Sequence, residues 1–95
     1  MTSDLVMPLN AVSFDAIKRG DQVEEFRQIT PHWSKLLERR TYDRLVLWRG
    51  YPRTSDSNRI LVLPWLGVTR KTIARPFFGP KPLEVYAIDV SGAAL

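Results

Sequence analysis

The chain has 95 residues and a mass of 10.9 kDa, with 44% hydrophobic and 25% charged residues, which is the make-up of one small globular domain over residues 1–95 rather than a disordered tail. It contains no cysteine and one histidine, His32, which excludes disulfide frameworks, thiolate zinc sites, CxxC redox chemistry and cysteine nucleophiles. The net charge is +4 and the pI near 9.9, so a polyanionic partner is among the classes the composition keeps open.

The expected elements run as follows. Leu5 to Val12 (LVMPLNAV) reads as a first strand, with Pro8 confining it to an edge or a bulge. SFDAIKRG follows as a helix of two turns: Ser13 is the expected N-cap, Phe14 and Ile17 share a face, and Gly20 takes the left-handed closing position. Residues 22–28 (QVEEFRQ) form a strand whose alternation sets Val23, Glu25 and Arg27 on one face and Gln22, Glu24 and Phe26 on the other. Thr30 caps a second helix with Pro31 in its first position and Trp33, Leu36 and Leu37 as its apolar stripe. Arg39 and Arg40 sit at its C-terminal end, where positive charge suits the helix dipole.

The rest of the chain reads as β structure. Asp43 to Arg49 is a strand, followed by Gly50-Tyr51-Pro52 and a polar loop from Arg53 to Arg59. Ile60 to Leu66 is almost wholly apolar, as expected of a strand covered on both faces. Gly67 permits a sharp bend into the alternating strand VTRKTIARPF, GPKP (79–82) makes a turn, and Leu83 to Val90 closes the domain. Two short helices near the N-terminus and several strands predict an α+β fold built on a small β-barrel. So short a chain buries a limited core, and weak homo-oligomerisation is one way to extend it.

No membrane partner is expected: MTSDLVMPLN lacks a basic n-region, and the longest apolar run is broken by Pro64 and Gly67 well short of the ~20 residues of a spanning helix. The expected location is the cytoplasm.

Charge is unevenly spread. From Arg39 to Arg75 there are nine basic residues against Asp43 and Asp56, a local excess of +7, while the first part of the chain is mildly acidic. Arginine outnumbers lysine ten to four, and its planar fork suits phosphates and base edges. Two readings stay open, a nucleic-acid surface and a merely solvated one. Trp33, Trp48 and Trp65 stand in apolar contexts that assign them to packing, whereas Tyr51 at a strand end is the candidate for stacking on a base. Carboxylates and His32 show no metal-ligand spacing, no glycine-rich phosphate loop is present, and neither metal nor cofactor is expected.

The stretch Gly20-Asp21-Gln22-Val23-Glu24-Glu25-Phe26-Arg27, after a helix, resembles the GxKxxExR signature of the ASCH family, with Gln22 at the lysine position. The blocks TPHW, LVLWRGYP, PWLGVTRKTI and LEVYAIDV are similar to those of small bacterial and phage ASCH proteins, so the resemblance covers roughly Pro8 to Val90. It implies a PUA-like β-barrel and binding of RNA or a modified nucleoside. It also implies two hydrolytic alternatives, a ribonuclease and an amidohydrolase acting on N4-acetylcytidine.

The amidohydrolase branch uses the GxK lysine and a threonine three positions later, which fall here on Gln22 and Glu25. An amide cannot replace a tunable base. Glu25 is then the one catalytic candidate, and Lys18, Gln22, Glu25, Arg27 and Tyr51 the expected ligand-binding residues of a cleft between the first helix and the barrel. Arg49, Arg70 and Lys71 are expected to neutralise nucleic-acid phosphates. Against this stand two other possibilities: that Glu25 and Arg27 form a structural ion pair, and that the domain binds proteins and no nucleic acid.

Overall fold

A computed structural model describes residues 3–53, 55–74 and 81–95. Its strands are β1 (Asp4–Leu9), β2 (Glu24–Gln28), β3 (Arg44–Arg49), β4 (Ile60–Pro64), β5 (Val68–Ile73) and β6 (Leu83–Asp89), and its helices α1 (Ala11–Arg19) and α2 (Pro31–Leu37). A 3-10 turn, Ser57–Arg59, leads into β4. The strands form two open three-stranded sheets. In the first, β1 runs parallel to the central β3 and β4 antiparallel to it. In the second, β2 and β5 both pair antiparallel with the central β6.

Period-two alternation makes the core. Leu5, Leu45 and Leu63 line up in register across the first sheet, as do Met7, Leu47 and Leu61, and all six are buried. From the second sheet Tyr86 and Ile88 enter the same cluster, with Phe14 and Ile17 of α1 and Leu37 of α2. On the inner face of this sheet register sets Glu25 beside Ile88 and Val68, and Arg27 beside Tyr86 and Arg70. Polar side chains therefore flank the apolar centre of that face.

Several boundaries differ from expectation, each for a local reason. β1 stops at Leu9 because Asn10 caps α1: its Oδ1 accepts from the Ser13 N–H at 2.8 Å, so the helix starts earlier than a Ser13 cap allows. Gly20 closes α1 with φ 85°, and the N–H groups of Asp21 and Gln22 both turn back to the Ala16 carbonyl, which delays β2 to Glu24. Asp43 is outside β3, its carboxylate accepting from the Ser3 N–H at 2.8 Å. β4 ends at Pro64, and its alternation buries Leu61 and Leu63 while Ile60 and Val62 stay half-exposed, so it is covered on one face and not on both. β5 ends at Ile73, with Ala74 already outside it, and residues 75–80, with half of the expected GPKP turn, lie outside the described residues.

No helix among the described residues is long and apolar enough to cross a membrane. The tail after β6 returns to β4, where the Leu95 N–H donates to the Val62 carbonyl at 2.8 Å. Gly92 makes this return possible: a Cβ there would lie 2.6 Å from Pro64 Cγ and 3.2 Å from Leu66 Cδ1. A proline ring cannot swing aside. Gly92→Ala is therefore expected to cost about 1–3 kcal/mol through overpacking. Thermal denaturation checks it, at roughly 4–8 °C per kcal/mol for a domain of this size.

Candidate functional site

Glu25 and Arg27 come together on one face of β2 as expected, and Gln22, expected on the other face, joins them because it lies before the strand and is free of its alternation. Arg27 NH1 donates to Glu25 Oε1 at 3.1 Å, and Gln22 Nε2 donates to Glu25 Oε2 at 3.1 Å. Both carboxylate oxygens are thus engaged. The guanidinium also donates to the Phe26 carbonyl at 2.8 Å, approaches the Pro8 carbonyl at 3.5 Å and lies 5.3 Å from the centre of the Trp33 ring. With side-chain exposures of 12% and 19%, Glu25 and Arg27 sit in the seam where the free edge of β1 meets β2. Lys18 joins Gln22 not here but along a cavity of about 280 Å³ between the end of α1, the inner face of β4 and the tail from Val90 onward.

The residues expected to meet phosphates are taken by carboxylates. Arg49 pairs with Asp15 at 3.2 Å, Lys71 with Glu24 at 2.6 Å, and Arg70 with Glu38 at 2.6 Å and Glu84 at 3.1 Å. Tyr51 is 83% exposed and packs edge-on to Trp48, the ring centres 6.4 Å apart. Trp48, assigned to packing, is half-buried and lies outside the main core cluster, whereas Trp33 and Trp65 do pack against that cluster. His32 is exposed, its ring edge-on to Trp33 at 5.1 Å.

A larger recess lies at the C-terminal end of α2. It holds about 500 Å³, lined by Leu37, Arg39, Arg40, Trp65, Arg70 and Tyr86 among others. Tyr86, 2% exposed, forms the inner end of a polar knot. Its hydroxyl donates to Glu38 Oε1 at 2.8 Å, and because a carboxylate only accepts, the Ser34 hydroxyl 2.8 Å away must donate to Tyr86. Arg70 Nε and NH2 reach the same Glu38 oxygen at 3.1 and 2.6 Å. These hydrogen bonds, from Arg70 first and then Tyr86, hold the Glu38 carboxyl below its ordinary range. Glu38 and Glu84 in turn hold the Arg70 guanidinium above its own.

The rim of the groove is cationic. Arg39 adopts φ 58°, the one non-glycine residue in the left-handed region among those described. Arg40 lies 5.6 Å from the Tyr42 ring, which is itself edge-on to Trp65 at 5.1 Å. Neither Arg39 nor Arg40 forms an ion pair among the described residues, and both are exposed. Sequence reading placed them at a helix end for the dipole. What it missed is that Glu38, Trp65 and Tyr86, far apart in the chain, meet them there; the dipeptide Arg39-Arg40 directly after the cap of α2 was the available signal. Among the described residues no cluster of three or more His, Asp or Glu side chains is arranged to hold a metal.

No protein-family model matches the chain, and no curated protein or solved structure matches it.

Two stability outcomes follow from these geometries. Glu25→Ala strands the Arg27 guanidinium in a largely buried seam and is expected to cost about 2–3 kcal/mol, whereas Glu25→Leu with Arg27→Met recovers most of the loss. Urea denaturation of the three proteins checks this. Because Glu38 titrates lower folded than unfolded, its contribution is complete above the ordinary glutamate value of 4.5 and disappears as pH falls through the folded value. Asp4, held low mainly by the hydrogen bond from Arg44, adds a parallel loss. The melting temperature should drop between about pH 5 and pH 3, and less steeply in Glu38→Gln than in the wild type.

Proposed function

We propose that the protein binds RNA, with the groove at the end of α2 as its principal ligand site and an ASCH-like, PUA-type barrel as its scaffold. The observation that carries the reading is Arg39. Left-handed backbone costs a side-chain-bearing residue about 1–2 kcal/mol and a glycine almost nothing, yet the position holds an arginine that forms no ion pair among the described residues. Strain at the mouth of a recess is a mark of a residue kept for what it contacts.

The groove supplies what a nucleotide needs. Its volume falls in the range of small-ligand sites. Trp65, buttressed from behind the lining by Tyr42, offers aromatic surface for a base, and Arg39 and Arg40 offer forks for phosphate. The barrel part of the reading rests on the sheet edges. Arg27 reaches from β2 to the Pro8 carbonyl of β1, and the short link Trp65-Leu66-Gly67 joins β4 to β5, so the two sheets wrap one core from both sides. Glu25 and Arg27 then brace the seam rather than read a base. Binding is favoured over hydrolysis because Gln22 and Arg27 occupy both oxygens of Glu25, and Gln22 stands where the amidohydrolases carry lysine.

Fluorescence anisotropy with a labelled single-stranded RNA tests the reading. The logarithm of the binding constant should fall with the logarithm of salt concentration by about 0.7 per phosphate contacted, and Arg40→Gln should lower that slope by about 0.7. Arg39→Gly is expected to weaken binding while raising the melting temperature, two opposite signs that a purely structural arginine would not produce. Affinity indifferent to salt, or absent at low salt, overturns the proposal. Cleavage of the RNA, or deacetylation of N4-acetylcytidine, seen by mass spectrometry would mark a hydrolase instead.

A further inference from the structure

The β1–β3–β4 sheet covers one face and leaves the other open. On the open face register aligns Val6, Val46 and Val62 in one row and Pro8, Trp48 and Ile60 in the next, every one of them partly or well exposed. The second row ends at the loop after β3, where Tyr51 projects with 83% of its surface in solvent. Its ring stands at 69° to that of Trp48, the centres 6.4 Å apart, and this one contact leaves most of the ring accessible. The same loop carries Arg53 and Arg59, both exposed and in no ion pair among the described residues. Its carboxylate, Asp56, is turned to the backbone, accepting from the Arg53 N–H at 3.2 Å.

We infer that this end of the sheet is a second contact for single-stranded RNA, where a base stacks on Tyr51 and Arg53 and Arg59 meet the adjoining phosphates. The inference rests on the RNA-binding reading above and extends it to a separate surface. Charge selects the occupant. A second copy related by a two-fold axis at this end of the sheet would bring the cationic loop toward its own image. An apolar protein partner would desolvate two guanidiniums without a counter-charge. A phosphate backbone supplies the charge, and any base has a π face for the tyrosine.

The two surfaces lie at opposite ends of the β3–β4 hairpin: Thr41 and Trp65 border the groove, while Trp48 and Ile60 border the platform. The six residues of β3 put roughly 20 Å between them, so one extended strand of several nucleotides can span both.

The test is anisotropy with a labelled 12-nucleotide oligouridylate. Tyr51→Ala is expected to weaken binding by about 5- to 100-fold, with Tyr51→Phe close to the wild type because the ring is what stacks. Arg53→Gln with Arg59→Gln should reduce the salt slope by about 1.4, independently of the loss caused by Arg39→Asn. If the loop variants bind as the wild type does while Arg39→Asn is impaired, the platform is refuted and the groove stands. If the wild-type protein binds no RNA at low salt, both fall. A dimer in sedimentation velocity that Tyr51→Ala dissociates would make this face a self-association surface and likewise overturn the inference.

Discussion

The buried hydroxyl of Tyr86 constrains more of this molecule than any other single group. A hydroxyl withdrawn from water costs stability unless it is hydrogen-bonded, and Tyr86 sits in the core with 2% of its surface exposed. Two partners come from the α2 region, Ser34 within the helix and Glu38 at its cap. Satisfying the tyrosine therefore fixes how α2 lies on the second sheet. Glu38, once placed, collects Arg70 from β5 and so ties the helix to that edge as well. The chain then has to leave the helix abruptly, and Arg39 takes the left-handed conformation as it does so. The groove is the space left by that exit.

Electrostatics complete the closure. The acidic first part of the chain folds onto the basic middle: Asp4 meets Arg44, Asp15 meets Arg49, Glu24 meets Lys71 and Glu38 meets Arg70. Most of these pairs are substantially exposed, so each adds little to stability. Their consequence is selective. They neutralise the cations that lie along the sheets and leave Arg39, Arg40, Arg53 and Arg59 outside any ion pair among the described residues, at the two ends of the β3–β4 hairpin. A basic middle segment read as one continuous surface becomes two separate clusters.

Much of the architecture was legible because short-range physics decides it. Gly20 as a left-handed cap, Thr30 with Pro31 opening α2, and the alternation of the strands all follow from local chemistry. The association of Glu25 and Arg27 was equally accessible, since residues two apart on a strand share a face, whereas Gln22 reaches Glu25 from before β2, against the alternation that set it on the opposite face. Asn10 was overlooked as a cap because Ser13 offered an equally good side chain three residues later, and only backbone geometry distinguishes the two. The groove was not legible at all. Its components come from α2, the β3 approach, the β4–β5 link and β6, and no spacing in the chain encodes their meeting. Nor does the charge of Arg49 or Lys71 reveal that a carboxylate from another element will cover it.

That last point bears on how basic residues point to nucleic acid in a domain this small. Counting cations along the chain weights each one equally, but a cation held at 2.6 Å by a carboxylate offers phosphate an exchange rather than a new contact. Releasing Lys71 from Glu24 strands the glutamate, so the gain is the difference between two ion pairs and is close to nothing. Arg39 and Arg40 hold no carboxylate in an ion pair among the described residues, Arg39 acting on Glu38 only through space, so binding there breaks no such pair. Aromatic side chains then distinguish a site from a solvated patch: Arg40 is near the Tyr42–Trp65 pair, and the loop bearing Arg53 and Arg59 also bears Tyr51. An unpaired guanidinium beside an accessible ring is a rarer condition than a basic segment. Among the described residues it is met at the two ends of one hairpin and not at the Glu25–Arg27 seam, where both side chains are engaged with each other.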